Sequence, residues 1–503
     1  MVLYQYRVDM AIVKVMGIET EYGITIRDGI GFDPIIGCSL LINSYQVLET
    51  GKVKWDYEEE DPTRDARESV PPRKLREQPG ETTQFINRIL TNGARYYVDH
   101  AHPEYSSPEC TNPRDLVIYD KAGERILDLS RQKAEIIRGR GERIIVYKNN
   151  TDSKGNSYGC HENYLLDRKT PFPSIIRDLM PFLVTRQIYT GAGKVGAENG
   201  AEPVSYQISQ RSDFVEKEVG LETMLQRPII NTRDEPHADA EKYRRLHVIV
   251  GDSNMSEYTT YLKVGTTALV LEMIEDNFIH QDFSLRSPVQ AIREISHDPS
   301  LKRKLRLEDG RQATAIEIQR QYLELALGYL DRRDPDPLVK DVLAKWAYVL
   351  EKLEEEPRQL KQEIDWVIKR ELIEAYMARH HLFWEDPRIS LIDLQYHDVR
   401  PSKGLYYLLE EEEKVERIVS DDEIEEAMVN PPCDTRAYFR GRCLQKYAHN
   451  ISAVNWDSMI FDLDHGPLKK VMMMEPTKGT ETDVGRIIDS SPTAADLLEA
   501  LQS

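Results

Sequence analysis

An α+β fold is the class this chain predicts, and three observations point to it. Short stretches with period-two alternation crowd the chain as far as Val250. Long stretches with helical spacing fill much of the remainder, and strands followed by helices are the α+β signature. At 503 residues the chain has room for a large core and for two or more units.

Taken in order, Met1 to Asp9 reads as a loose extension, within a flexible segment expected over residues 1–13. Ala11 to Ile26 alternates as a strand and puts Glu19 and Glu21 on one face. Paired carboxylates repel unless a cation sits between them, and oxygen ligands on a rigid strand suit Mg²⁺. A solvated acidic face is the competing reading. About 60 residues then separate this strand from the next, far more than a compact connection needs. Within this insertion, expected at about 36–90, Cys38 to Thr50 has the look of a helix. The Pro-, Arg- and Glu-rich run from Glu68 to Thr82 reads as a loop, either a lid or a dispensable insertion.

The stretch from Asn92 to Glu109 organises the rest. Asn92-Gly93 signals a turn, and Ala94 to Val98 a strand that Pro103 should end. Arg95, Tyr97 and Asp99 would share a face, with Glu104 just beyond the strand. A cation, a phenol and two carboxylates converging there suit a metal or phosphate site; a solvated face is again the alternative.

Leu116 to Arg138 is predicted helical and Glu142 to Asn149 a strand. Ser157 to Tyr164 then offers His161 and Glu162, either of which can face a metal. Thr190 to Gly196 lacks the phosphate-loop spacing and reads as a glycine-rich turn between strands. Tyr206 to Phe214 alternates like a strand carrying Arg211, and Leu246 to Val250 is a buried strand. Arg211 and Arg233 suit carboxylate or phosphate binding, or else ion pairing with Asp234 or Asp239. Helices are expected at Thr259 to Asp276, Thr314 to Leu330, Val339 to Leu353 and Glu363 to Ala378. An acidic connecting segment follows, with Glu410 to Glu413 and Asp421 to Glu423. Pro431-Pro432 marks a boundary before a small α/β unit with Trp456 and a final helix, Thr493 to Leu501. Trp456 either stacks on an adenine ring or belongs to a core.

Composition excludes several classes. A net charge of −20 argues against nonspecific nucleic-acid binding, which depends on neutralising phosphates. No apolar run reaches the ~18 residues of a membrane span, and Met1 to Met10 lacks a signal-peptide core. Five scattered cysteines read as reduced thiols, so a cytoplasmic protein is expected.

Five motifs carry a resemblance: Gly17 to Gly23 (GIETEYG), Asn92 to Glu109, Lys148 to Tyr164, Pro228 to Asn254 and Asp434 to Gly441. Together they resemble the family of Pup ligases and Pup deamidases/depupylases, relatives of glutamine synthetase and of carboxylate-amine ligases. Asp99-His-Ala-His-Pro-Glu104 and the insertion with Trp55 to Glu58 and Ser69 to Thr82 are similar to the depupylase branch. The resemblance implies a glutamine-synthetase-like curved antiparallel sheet cradle flanked by helices over residues 14–430. A small C-terminal α/β domain would occupy residues 431–503.

Residue by residue, the resemblance makes Asp99 the catalytic aspartate. Glu19, Tyr97 and Glu104 become metal ligands, with Glu21 and His161 as further ones. Arg95, Ser107 and Trp456 become nucleotide contacts, and Arg211, Arg233 and His247 line the phosphate or substrate-carboxylate side. The implied chemistry is deamidation of the C-terminal Gln of Pup, a small protein tag, and cleavage of its isopeptide bond to substrate lysines. ATP and Mg²⁺ would be bound cofactors. The implied partners are Pup and pupylated proteins of the bacterial proteasome pathway. A Pup ligase of the same fold and a non-catalytic module that binds pupylated proteins are the alternatives. Arg244-Arg245 and Lys302 to Arg306 are candidate contributors to a basic groove for the acidic tag.

Overall fold

The computed structural model describes residues 11–27, 33–45, 53–58, 60–67, 86–139, 143–331, 333, 335–463 and 466–502. Met1 to Asp9 and Ser69 to Thr82 lie outside the described residues.

Six strands form the central sheet: β1 (Met16–Glu21), β2 (Asn87–Ile89), β3 (Arg95–Asp99), β4 (His102–Ser106), β5 (Cys160–Asp167) and β6 (Tyr243–Val248). Their order is β6-β5-β1-β4-β3-β2, and every neighbouring pair is antiparallel. Alternation makes the sheet two-faced. Met16 and Ile18 of β1, Tyr164 and Leu166 of β5 and Leu246 and Val248 of β6 point back into the largest core, against the helices Phe172–Thr190 and Glu257–Glu275. Tyr96, Val98 and Tyr105 point back into a second core with the helices Pro34–Ser44 and Pro113–Arg138. Each fully buried side chain of this size contributes roughly 1.5–3 kcal/mol, so these cores hold the sheet rigid.

The long helices start where local chemistry says they should. Asn112 accepts from the Asp115 amide ahead of Pro113, and Gly139 closes that helix in the left-handed conformation. Ser256 caps Glu257–Glu275, and Thr314 forms a capping box with Glu317.

Several sequence expectations need correction. The stretch Ala11 to Ile26 is two strands, β1 and Gly23–Arg27, and the second leaves the sheet to pair with Arg143–Tyr147. Pro103 ends nothing: β3 stops at Asp99, and Pro103 lies inside the returning strand β4. Glu104 is therefore a strand residue opposite Tyr97. Tyr206 to Phe214 is a two-residue strand, Tyr206–Gln207, followed by a 3₁₀ turn. Thr190 closes a helix, so Gly191 to Gly193 link that helix to the short strand Lys194–Val195. The acidic connecting segment is partly helical, with Leu405–Glu411 and Asp421–Ala427, because Arg417 neutralises Glu410 and Asp421.

A separate core gathers Phe439, Leu444, Val454, Phe461 and Leu498. Its sheet joins Ile451–Val454, Ser458–Phe461 and Lys469–Met472 to Lys54–Trp55, a strand from the early insertion that pairs parallel to Ile451–Val454. Val53 and Trp55 belong to that core, and the helix Pro34–Ser44 buries Cys38, Leu41 and Ile42. The described parts of the insertion are thus structural, which its charge-rich composition concealed.

The helix Ala437–Tyr447 fastens this unit to the sheet. Arg436 and Arg440, one turn apart, both reach the carboxylate of Glu109, and Arg440 also donates to the Gly93 carbonyl. Gly93 has φ +84°, a conformation suited to glycine, and a Cβ there would stand 3.1 Å from the Ala437 carbonyl oxygen.

Candidate active site

Directly facing residues of an antiparallel pair share a face, so the strand register alone assembles the site. One row crosses the front of the sheet as His161, Glu19, Ser106 and Arg95. The next runs Glu21, Glu104, Tyr97 and Asn87, and the last holds His102 and Asp99. Alternation sends Glu162 to the back, where Arg186 pairs with both of its oxygens at 2.5 and 2.8 Å. His161 alone of that pair faces the site.

Two groups of ligand atoms lie close enough to share a cation. Glu19, His161 and His247 form one, and Glu21, Asp99 and Glu104 the other, with the ligand atoms of each group within 4.8 Å of one another. Glu19 Oε2 is 3.5 Å from His161 and 3.7 Å from His247, and Glu19 Oε1 is 3.7 Å from Arg245. Burial alone would raise the Glu19 pKa, but these neighbours hold it well below the usual carboxylate range. Glu104 is displaced the other way. It is buried and faces Asp99, Glu19 and Glu21, so burial and like charge push its pKa well up. Burial opposes ionisation of Glu21 too, yet His102, His161 and Arg211 draw it down to about 2. Burial lowers His247 to about 3, which keeps its imidazole neutral and able to coordinate.

Cation binding fits this set. His247 Nε2 is buried with no hydrogen-bond partner among the described residues, and Glu104 crowds against three carboxylates. The Glu21, Asp99 and Glu104 group offers oxygens alone, as Mg²⁺ prefers, whereas the other adds two imidazoles. Tyr97 reaches the cluster through a carboxylate: its hydroxyl donates to Glu104 Oε1 at 2.5 Å.

The aromatic wall comes from distant sequence. The Arg95 guanidinium lies 4.1 Å from the Trp55 ring centroid and 3.8 Å from that of Tyr97, and it donates to Asn87 and Tyr57. Trp456 packs edge-to-face on Trp55 at 5.3 Å with Arg440 beneath it. Partly exposed, it borders two adjoining clefts. One contains Asp99, Glu104, Arg95 and Arg233; the other contains Ser107, Gly17 and His237. Ser107 Oγ accepts from the Ile18 amide at 3.0 Å, so its own O–H is free to donate into the second cleft.

The three expected anion binders separate. His247 joins Glu19 and His161 in the ligand group. Arg233 sits at the rim, where its Nε donates to the Pro62 carbonyl; Asp234 pairs instead with Arg168 and Arg244, and Asp239 with Lys242. Arg211 is buried beside Glu21 and donates to the Tyr158 carbonyl, lining neither cleft. The pair Arg244-Arg245 also splits. Arg245 faces the cleft, donating to Asn163 at 2.7 Å, while Arg244 turns to Asp234 and the Thr170 carbonyl. Strand phase could have assigned Arg245 in advance, since it lies two residues from His247. The Asp99-to-Glu104 motif includes His100 but gave it no role; its Nδ1 lies 2.9 Å from Asp99 Oδ2. Hydrogen bonding to Asp99 raises the His100 pKa.

A model of the family described as Pup-ligase protein matches residues 14–460. A depupylase from Acidothermus cellulolyticus is 52% identical over 502 residues, covering 97% of this chain and 99% of the relative. A Pup deamidase/depupylase from Mycolicibacterium smegmatis is 46% identical over 498 residues, with the same two coverages. The crystal structure of prokaryotic ubiquitin-like protein Pup with its ligase PafA superimposes with a TM-score of 0.81 at 36% identity, over 96% of this chain and 93% of that one. The Pup ligase PafA in complex with ADP gives 0.74 at 36% identity, over 84% and 96%.

Proposed function

The chain belongs to the Pup-ligase family, and from that premise we propose that it is a Pup deamidase and depupylase. It hydrolyses the side-chain amide of the C-terminal Gln of Pup to Glu, and the isopeptide bond between that Glu and a substrate lysine. Both reactions break a C–N bond at the same side-chain carbonyl; water supplies the oxygen, and ammonia or the lysine amine departs. One site therefore serves both. The observation that carries this reading is Asp99, which lies in the cleft and has a ligand atom within 4.8 Å of those of Glu21 and Glu104. The hydrolytic branch is supported by relatives named depupylase or Pup deamidase/depupylase that align over 97% of this chain at 52% and 46% identity.

Mg²⁺ and ATP are the proposed bound cofactors. Glu19, His161 and His247 on one side and Glu21 and Glu104 on the other would hold the metal, with Tyr97 bracing Glu104. Arg95, Ser107 and Trp456 would hold the nucleotide, the indole offering a face for the base. When bound, Mg²⁺ would supply positive charge that offsets the negative charge developing on the carbonyl oxygen. Asp99 acts on the carbonyl carbon, directly as nucleophile or through a water it deprotonates. Arg245 and Arg233 set a positive rim for an anionic substrate. Residues 14–430 would form the catalytic unit and 431–503 the smaller one.

Gln-ended Pup and a Pup–protein conjugate, each incubated with Mg²⁺–ATP, test the reading by mass spectrometry. We expect both to be hydrolysed, and Asp99→Asn to lose about 10²–10⁴-fold in rate while still binding nucleotide. Substantial turnover by that variant would remove Asp99 from the chemistry.

A further inference from the structure

The turn that returns β3 into β4 is built in an unusual way. Asp99 and His102 are paired, which leaves His100-Ala101 as a two-residue connection. His100 has φ +52°, a left-handed conformation that glycine adopts most easily. Histidine is among the residue types that tolerate this conformation, and here it brings the imidazole next to Asp99. The side chain turns back on the residue before it. His100 Nδ1 donates to Asp99 Oδ2 at 2.9 Å, and among the described residues no other group hydrogen-bonds that carboxylate. Both side chains are open to the cleft, with relative exposures of 52% for His100 and 37% for Asp99. A carboxylate this exposed would otherwise rotate freely about its terminal torsion, which is broad.

We infer that His100 is a positioning residue: by holding Oδ2 of Asp99 it leaves Oδ1 as the oxygen presented to the substrate carbonyl. The inference rests on the hydrolase reading given above and adds to it a reason for the His in this turn. His100 takes no part in bond making; it narrows the orientations of the group that does. A catalytic group must be held to within a fraction of an ångström, and a misplacement near 1 Å costs about 10²-fold.

The left-handed turn supplies a clean test. His100→Gly removes the hydrogen bond and relaxes the backbone, so the melting temperature should stay level or rise. We expect its kcat on both substrates to fall about 10- to 100-fold, with KM and nucleotide affinity unchanged. His100→Asn keeps a donor near the Nδ1 position and tolerates the same φ, and it should recover to within about threefold of the parent rate. A glycine variant with full kcat, or an asparagine variant as slow as the glycine one, would overturn the inference. Hydrolysis by the unaltered protein is measured alongside. Its absence would overturn the proposed function itself, whereas a full rate in both parent and glycine variant overturns the role of His100 alone.

Discussion

Glu21 and Glu104 face each other across β1 and β4 and are driven in opposite directions, one down to about 2 and the other well above its usual range. A divalent cation resolves that conflict by letting both ionise. Glu19→Ala and Glu104→Ala should each weaken Mg²⁺–ATP binding by about 10- to 100-fold, and added Mg²⁺ should restore part of the loss. Calorimetric titration checks this, and unchanged affinity in both variants would detach the cluster from the metal. At this scale the sequence was informative wherever strand phase applied. Glu19 and Glu21, and Arg95, Tyr97 and Asp99, share faces as alternation requires. It was silent on contacts across strands, because register is set by packing and not by spacing. That is why His247 appeared among anion binders and not beside Glu19.

The helix Ala437–Tyr447 shows how one element carries a wall of the cleft. Arg436 and Arg440 converge on Glu109, whose carboxyl is buried and would be raised by that alone; the two guanidinium groups draw it down to about 2. A folded pKa below the unfolded one means that this stabilisation is complete above the ordinary carboxylate range. It is lost as pH falls from about 4.5 toward 2. Glu109→Gln should therefore destabilise the protein by about 3 kcal/mol at neutral pH and flatten the acid limb of its stability curve. Thermal melts across pH would show it; parallel curves for parent and variant would not fit. Helices were the most legible elements, since their caps and apolar spacing are local. The strand Lys54–Trp55 was hidden, as two residues hold no periodicity and their partner lies at Ala453–Val454.

For the whole molecule, the decisive question is what happens to ATP. Ligation must be driven by phosphoryl transfer, whereas amide hydrolysis runs downhill. Many deamidation events per ADP released are expected, with ADP and Glu-ended Pup quantified in the same reaction. One ADP per product would instead indicate ligase-like coupling. Among the described residues no helix is long and apolar enough to cross a membrane. The α+β class was readable from period-two and helical stretches occurring together along the chain, and the antiparallel cradle from the family resemblance. The joining of the insertion to the C-terminal sheet was not, because no local signal reports a pairing between residues so far apart.

That pairing has a consequence during synthesis. Trp55 and Trp456 meet over Arg95, and the Asp56 carbonyl receives a hydrogen bond from Asn455, 399 residues later. Contacts this remote form late and slow folding. A chain still on the ribosome can complete the sheet, with Glu19, Asp99 and Glu104 in register, well before the indole of Trp456 has been translated. The nascent protein thus carries its acidic rows without that aromatic wall, and it acquires the wall only once Trp456 has been translated.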